Sequence, residues 1–223
     1  TYLAANVVEH STNTTLFPPY TIRQFDAVRI AFIGLPLKGT PLVSTAKGVA
    51  GLRFLDEVET INKWVSVVRN QGIETIVVLL HEGGYSTGLY NACDGISGVV
   101  FDMAKAIDPA VDVIVTGHTN GAYVCTIDNK LVTSAAHAGR LITSIHLTID
   151  NQTGNVLKKQ GNNIIVTRDV PKNNTQTSII TKYEALVAPI ANRVVGHINQ
   201  SLTRAQNEAG ESQLGNIIAD SHW

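Results

Sequence analysis

The first third of the chain alternates between short apolar runs and a helical spacing of apolar residues. Residues 28–35 form an apolar run that predicts a buried strand. Residues 56–70 then carry one apolar stripe at spacings of three, four and three: Val58, Ile61, Val65 and Val68. After Gly72, residues 73–80 are rich in β-branched side chains and lack alternation, as is typical of a parallel strand covered on both faces. This order of strand, helix and strand predicts an α/β fold.

A second helix and strand repeat this arrangement. The helix is predicted from apolar residues at spacings of four, three and four: Ile96, Val100, Met103 and Ile107. Pro109 ends it, and residues 111–115 predict a further buried parallel strand.

The pattern then changes to antiparallel hairpins. Four strands are predicted, at residues 122–127, 130–135, 141–149 and 156–167. A last helix is expected over residues 177–192, although Pro189 would kink or end it. The polar residues 194–211 are typical of a linker.

Composition narrows the classes of partner. The 223 residues include 17 Lys and Arg against 18 Asp and Glu, so the formal net charge of −1 excludes a generally basic nucleic-acid binder. A hydrophobic content of 44% indicates a folded chain. Its apolar runs fall far short of the roughly 20 residues that a membrane-spanning helix requires. We therefore expect neither a nucleic-acid polymer nor a membrane span.

Both termini suggest part of a longer polypeptide. Residues 1–8 lack an initiator methionine and a secretory leader, and they resemble a strand entered midway. Residues 211–223 stop inside a stretch of periodic apolar residues.

Two histidines follow buried strands. His81 comes directly after residues 73–80, and His118 follows residues 111–115. Loops at the carboxyl ends of parallel strands converge on one crevice, so the two imidazoles could meet there and ligate Zn, Mn or Fe. On spacing alone, a surface or hydrogen-bonded histidine at a strand end explains each position equally well. The HExxH, P-loop, GxGxxG and GxSxG motifs are absent from the sequence.

Five sequence blocks, in order along nearly the whole chain, carry a resemblance. They are residues 2–7 (YLAANV), 28–35 (VRIAFIGL), 76–84 (IVVLLHEGG), 111–120 (VDVIVTGHTN) and 211–220 (ESQLGNIIAD). Together they resemble the secreted 5′-nucleotidase, 2′,3′-cyclic phosphodiesterase and UDP-sugar hydrolase family of calcineurin-like metallophosphatases. The resemblance implies an α/β fold that is the distal half of a four-layer αββα sandwich with mixed sheets. It also implies two divalent metal ions in the parent protein, without distinguishing Mn, Zn, Mg, Fe and Ca.

The same resemblance implies roles for individual positions. His81 and His118 correspond to ligands of one metal. The family's second histidine in its GHxH motif, which ligates the other metal, corresponds to Asn120, whose carbonyl oxygen is a poorer ligand for borderline metals than imidazole. No catalytic residue is assigned within the chain, because the remaining ligands and the catalytic histidine of the family lie upstream of the position that Thr1 occupies.

Domain organisation and function follow as expectations from the resemblance. Residues 1–193 would be the C-terminal portion of the metallophosphatase domain, and residues 194–223 a linker and the start of a truncated C-terminal nucleotidase domain. The parent protein is expected to hydrolyse nucleotide phosphoesters, as a 5′-nucleotidase, 3′-nucleotidase or 2′,3′-cyclic phosphodiesterase, with this chain an incomplete fragment that is inactive alone. Its partners would be the nucleotide and the missing parts of the same protein. The alternative is a non-catalytic metal- or ligand-binding module with a degenerate site, which Asn120 in place of histidine favours.

The two cysteines bear on location. Cys93 and Cys125 are the only ones in the sequence, and an even pair suggests a disulfide of an exported protein, with two buried free thiols as the alternative. The resemblance implies a disulfide that flanks the loop containing His118. It also implies a secreted, periplasmic or cell-surface protein.

Overall fold

The computed structural model describes residues 2–223 and divides the chain into two compact units, the first ending at Thr167 and the second beginning at Arg168. The strands are β1 Val7–Glu9, β2 Tyr20–Phe25, β3 Val28–Leu35, β4 Leu52–Phe54, β5 Thr75–Leu80, β6 Val113–Thr116, β7 Ala122–Ile127, β8 Lys130–Ala135, β9 Leu141–Ile149 and β10 Val156–Ile165. The helices are α1 Thr40–Val43, α2 Glu57–Arg69, α3 Val99–Ala106, α4 Asn174–Ala191 and α5 Gln213–Ser221.

A six-stranded mixed sheet organises the first unit. Its order is β2-β3-β5-β6-β8-β7, and the four inner strands are parallel while β2 and β7 run antiparallel at the edges. Leu35 pairs with Leu80, and Leu80 pairs with Thr116, so β3, β5 and β6 end level with one another. The mixed α/β fold predicted from the sequence is therefore confirmed.

Helices α2 and α3 contribute to the main core beside one face of this sheet. Every second side chain of the inner strands points to this face. Ile33 of β3 and Val78 of β5, for example, form one buried cluster with Ile61 of α2 and Val100 of α3. Helix α2 begins where the apolar stripe predicts, because the Asp56 carboxylate caps it by accepting hydrogen bonds from two backbone N–H groups of the first turn. Helix α3 is shorter than predicted and begins at Val99, after Ile96.

The other face of the sheet is partly covered by the β9–β10 hairpin. Ile145 and Leu147 of β9 pack against a second cluster of buried residues, namely Val77, Val113 and Leu131. The Lys159 ammonium of β10 lies 3.5 Å from the Asp112 carboxylate. Burial raises the pKa of Asp112 above its usual value, although the hydrogen bond from the Ile76 N–H and the charge of Lys159 act against that rise.

The second unit consists of α4, α5 and the irregular segment between them. Helix α4 extends over three residues before its predicted start at residue 177 and keeps Pro189 in its last turn. Helix α5, capped by the Ser212 hydroxyl, was not predicted. The structural division at Thr167 and Arg168 places α4 in the second unit, whereas the sequence predicts a domain boundary after residue 193, which stays a prediction. Within residues 2–223, no helix has the length and apolar character needed to cross a membrane.

Candidate metal site

His81 and His118 lie together at the carboxyl edge of the sheet. Their ring centroids are 5.4 Å apart and the ring planes are inclined by 63°. His81 follows the last residue of β5, and its N–H donates to the Leu35 carbonyl at 2.8 Å, which continues the parallel ladder by one step. Level strand ends bring the two loops together, as the positions after parallel strands predict.

The separation of the two rings fits joint ligation of a single metal ion. Because a bond from a metal to an imidazole nitrogen is about 2.1 Å long, each ligating ring is centred roughly 3.2 Å from the ion, and two rings at a tetrahedral angle stand about 5.2 Å apart. The observed 5.4 Å agrees with that figure, and both side chains are exposed and thus accessible to an ion. Neutral imidazole is a common ligand for divalent transition metals. Among residues 2–223, however, no group of three or more His, Cys, Asp or Glu side chains is placed to hold a metal.

The loop that carries His118 has a left-handed backbone at two positions. His118 has a φ of 64° and Asn120 a φ of 59°, in the region where Asn and His are among the better tolerated residues. The Thr119 N–H donates to the Gly117 carbonyl at 2.7 Å, which makes the turn tight. Asn120 is exposed, and its role as a ligand stays a prediction.

Close backbone contact holds the two histidine loops against each other. A Cβ on Gly83 would collide with the Gly117 carbonyl oxygen and come within 2.6 Å of the Thr119 hydroxyl, so only glycine fits there. The Thr119 hydroxyl donates to the Gly84 carbonyl at 2.8 Å, and the Gly117 N–H donates to the Glu82 carbonyl at 3.2 Å. The approach of the His118 loop therefore requires glycine at position 83, whereas a Cβ on Gly84 would collide with the Ser97 carbonyl oxygen and the Val100 side chain.

A buried tyrosine lies beneath both loops. The Tyr123 hydroxyl is 2.6 Å from the Thr116 hydroxyl and accepts a hydrogen bond from the Gly84 N–H at 3.2 Å. Burial raises the pKa of Tyr123, so the phenol stays protonated at neutral pH. The sequence analysis did not single out this residue, and its one signal there was an aromatic ring on the inward side of a hairpin strand.

A disulfide fixes the long loop between β5 and α3. Cys93 in that loop is bonded to Cys125 of β7, with the two Cα atoms 5.1 Å apart, which confirms the predicted pairing. Backbone hydrogen bonds between Tyr85 and Ser97 close the base of the loop at 2.9 and 3.0 Å. The segment that follows His81 is thus covalently joined to the strand that carries Tyr123.

The remaining histidines of the hairpin region do not join the pair. His137 is exposed in the turn after β8, and His146 is exposed on β9, where its ring lies 3.1 Å from the Ser144 hydroxyl. Glu82, the acidic residue next to His81, accepts from the Gly83 N–H at 2.8 Å.

An open, mainly apolar cavity of about 520 Å³ adjoins His81. Besides His81 it is lined by residues from the ends of β3, β5 and β6 and from the chain start, including Tyr2, Leu3, Leu79 and Val115. Leu79 is 40% exposed although it lies in an inner parallel strand, where both faces are normally covered. The sheet beside the histidines is therefore only partly covered by residues 2–223.

No family model matches the chain, but similar curated proteins are found. The endonuclease YhcR of Bacillus subtilis (strain 168) is 27% identical over 98% of this chain and 18% of its own length. The cell wall protein Lmo0130 of Listeria monocytogenes (serovar 1/2a, strain EGD-e) is 30% identical over 98% of this chain and 30% of its own length. A 5′-nucleotidase of Diplobatis ommata is 24% identical over 92% of this chain and 36% of its own length. The chain thus spans between 18% and 36% of these relatives.

Solved structures share the fold. The 5′-nucleotidase precursor from Thermus thermophilus matches 98% of this chain and 44% of its own with a TM-score of 0.74 at 24% identity. The calcineurin-like phosphoesterase YfkN from Bacillus subtilis matches 86% of this chain and 64% of its own with a TM-score of 0.68 at 20% identity. These similarities confirm the resemblance and the fold class predicted from the sequence.

Proposed function

Because its homologues and structural neighbours include 5′-nucleotidases and calcineurin-like phosphoesterases, we propose that this chain contributes part of the metal site of an enzyme that hydrolyses nucleotide phosphoesters. The observation that carries the proposal is the His81–His118 pair, with its ring centroids 5.4 Å apart at the carboxyl edge of the sheet. A divalent ion held there would polarise the phosphoryl group and lower the pKa of a bound water.

The residues of this chain hold and orient the site. His81 and His118 would each offer one imidazole nitrogen to the same ion. The contact between Gly83 and Gly117 keeps the loops at a fixed separation, since neither backbone can retreat without opening the bonds that join them. The chain thereby supplies a preorganised pair of ligands.

Two imidazoles do not complete a catalytic centre, which requires at least one further protein ligand in known zinc enzymes. We place the missing ligands and the catalytic acid in parts of the protein outside these 223 residues. The cavity that adjoins His81 supports this placement, because a second layer of protein packed on Leu79 and Val115 would reach the metal from that side. On this proposal the 223 residues are inactive alone.

The substrate on this proposal is a phosphoester of a nucleotide, either a mononucleotide or a polymer. Relatives named 5′-nucleotidase support a mononucleotide, whereas the relative named an endonuclease makes a polymer substrate worth testing. A relative named a cell wall protein supports a secreted or cell-surface location, as does the Cys93–Cys125 disulfide.

The test compares this chain with the longer protein that contains it. Hydrolysis of AMP, 2′,3′-cyclic AMP and single-stranded DNA is measured with Mn²⁺, with and without a chelator. We expect chelator-sensitive hydrolysis by the longer protein, loss of at least 100-fold in its His81→Ala and His118→Ala variants, and none by the 223 residues. Hydrolysis by the 223 residues alone would contradict the placement of the missing ligands.

One observation favours a second candidate, a non-catalytic metal- or ligand-binding module. Asn120 is exposed two residues after His118 and offers a neutral carbonyl oxygen where the resembled family has a metal-ligating histidine. Stoichiometric metal binding by the longer protein with no hydrolysis of any of the three substrates would favour this module.

A further inference from the structure

The Tyr123 side chain joins three separate parts of the sheet edge. It is fully buried, on the face of β7 that contributes to the main core. Its hydroxyl contacts the Thr116 hydroxyl at the end of β6, and it also contacts the backbone of Gly84, three residues after His81. One oxygen atom therefore contacts both the segment that follows His81 and the strand end that precedes His118.

The direction of each hydrogen bond follows from the number of protons. The Thr116 hydroxyl lies 2.8 Å from the Thr133 carbonyl, which only accepts, so the single Thr116 proton is used there. Tyr123 must then donate to Thr116 across their 2.6 Å contact, and its remaining lone pairs accept from the Gly84 N–H at 3.2 Å. The bonds run in one direction, from Gly84 through Tyr123 and Thr116 to β8.

The Tyr123 hydroxyl also interacts with the Ser134 side chain of β8, and the Gly84 N–H donates to Tyr123. A buried hydroxyl without a partner is unfavourable, so a loop that moved away would leave Tyr123 or the Gly84 N–H unsatisfied. The Cys93–Cys125 disulfide and the β7–β8 pairing hold the strand on which Tyr123 stands. The hydroxyl thus holds the Gly84 backbone and the Thr116 side chain, one at each histidine loop, at fixed positions relative to β7.

We propose that Tyr123 is a positioning residue for the histidine pair: its hydroxyl fixes the segment after β5 against the end of β6 and so sets the separation of the His81 and His118 rings. The functional importance of this positioning rests on the proposed metal site. The separation of the rings, however, can be measured in the metal-free chain. Tyr123 acts through the backbone of Gly84 and the side chain of Thr116 and does not itself contact a metal.

Four variants test the hydrogen bonds of the Tyr123 hydroxyl. Tyr123→Phe removes one oxygen, and Thr116→Val removes the hydroxyl that Tyr123 bonds, whereas Thr116→Ser retains it. Thr133→Val is the control, because the buried Thr133 hydroxyl has no hydrogen-bond partner among the described residues and its loss leaves the backbone carbonyl in place. Each variant is first checked for cooperative unfolding.

The first readout is the nuclear Overhauser effect between the ring protons of His81 and His118 in the metal-free chain. We expect Tyr123→Phe and Thr116→Val to reduce it at least twofold, while Thr116→Ser and Thr133→Val leave it unchanged. The second readout is Zn²⁺ affinity, measured by calorimetry. We expect Tyr123→Phe and Thr116→Val to weaken binding about tenfold. Thr116→Ser is expected to bind Zn²⁺ as the wild type does.

An unchanged ring-to-ring signal in both disrupting variants would overturn the proposal, even if both are less stable, since a purely structural tyrosine alters stability alone. If Tyr123→Phe does not fold, the Thr116→Val and Thr116→Ser pair decides by the same criterion. Failure of the wild-type chain to bind Zn²⁺ would count against the proposed metal site, and the ring-to-ring signal would still decide the role of Tyr123.

Discussion

The Asn91 side chain pairs with the backbone of Asn163 as a neighbouring strand would. Its Oδ1 accepts from the Asn163 N–H at 2.6 Å, and its Nδ2 donates to the Asn163 carbonyl at 3.0 Å. The two residues are 72 positions apart, so this contact joins the disulfide-closed loop to β10. The Asn163 side chain is equally engaged, since its amide donates to the Tyr90 and Ser134 carbonyls at 2.7 and 2.8 Å.

Asn163→Ala is expected to lower the free energy of unfolding by about 2 to 3 kcal/mol, because it leaves several buried polar groups unpaired. Asn162→Ala is the comparison, since the Asn162 side chain is exposed and makes one hydrogen bond, accepted from the Asn91 amide at 2.9 Å, and it is expected to lower the free energy of unfolding by at most about 1 kcal/mol. Urea unfolding followed by circular dichroism measures both. Equal effects in the two variants would show that the buried amide contributes nothing beyond a surface asparagine.

Asp56 makes the stability of the first unit depend on pH. Its carboxylate bonds the Lys38 ammonium at 3.0 Å and caps α2, and these interactions lower the pKa of Asp56 below 3.8. A lowered pKa gives stability that is present above the unfolded value and is lost as the pH falls through the folded one. Asp56→Ala is expected to lower the free energy of unfolding by about 1 kcal/mol at pH 7 and by less at pH 2 to 3.

The matched variant for this measurement is Asp56→Asn, which keeps a capping oxygen but no charge. We expect it to stay within about 0.5 kcal/mol of the wild type at pH 7, because exposed ion pairs contribute little. Unfolding is followed by urea titration at several pH values. An Asp56→Ala effect that grows as the pH falls would contradict the assigned sign.

Asn120→His is expected to tighten binding of the second Zn²⁺ ion by the longer protein about tenfold, because imidazole is a better ligand for borderline metals than an amide oxygen. The backbone already has a φ of 59° at this position, which histidine tolerates. Calorimetry measures the affinity, and Asn120→Ala serves as the control with wild-type affinity expected. Weaker binding in the control would mean that Asn120 is itself a ligand.

Loss of the disulfide is expected to destabilise the first unit and loosen one loop. Replacement of both Cys93 and Cys125 by alanine should lower the free energy of unfolding by about 2 to 4 kcal/mol. Amide hydrogen exchange should accelerate most at residues 85–97, which the disulfide joins to β7. Exchange within α2 is the internal reference, and a uniform acceleration of both regions would contradict a local effect of the bond.

The repeated strand and helix elements could be predicted from sequence because each carries its own period. The apolar run of β5 and the stripe of α2 need no knowledge of their neighbours. Strand β2 was missed, since it lies at a sheet edge and mixes polar and apolar residues as YTIRQF. Strand β4 has only three residues, too few for a period to show, and the periodic apolar residues of α5 were not interpreted as a helix.

The candidate site also has a part that could be predicted from sequence and a part that could not. The order of elements indicated that His81 and His118 could meet because both follow parallel strands, although spacing alone explained each position equally well as a surface histidine. The residues that hold the site in place were not predictable. The contacts of Asn163 and Tyr123 join residues tens of positions apart, and asparagine and tyrosine occur in many other structural settings. Their roles follow from burial and from the counting of donors and acceptors, which only the structure supplies.

The sheet order β6-β8-β7 has a consequence for how the chain folds. After β6 the polypeptide passes over to the edge as β7 and returns inward as β8, so the parallel partner of β6 is the later strand of the hairpin. The local hairpin forms early in such topologies, whereas its non-local docking waits for closure of the longer loop. The His118 loop connects β6 to this hairpin, so the hydrogen bonds by which Tyr123 links the two histidine loops are expected to form only once the hairpin docks on β6.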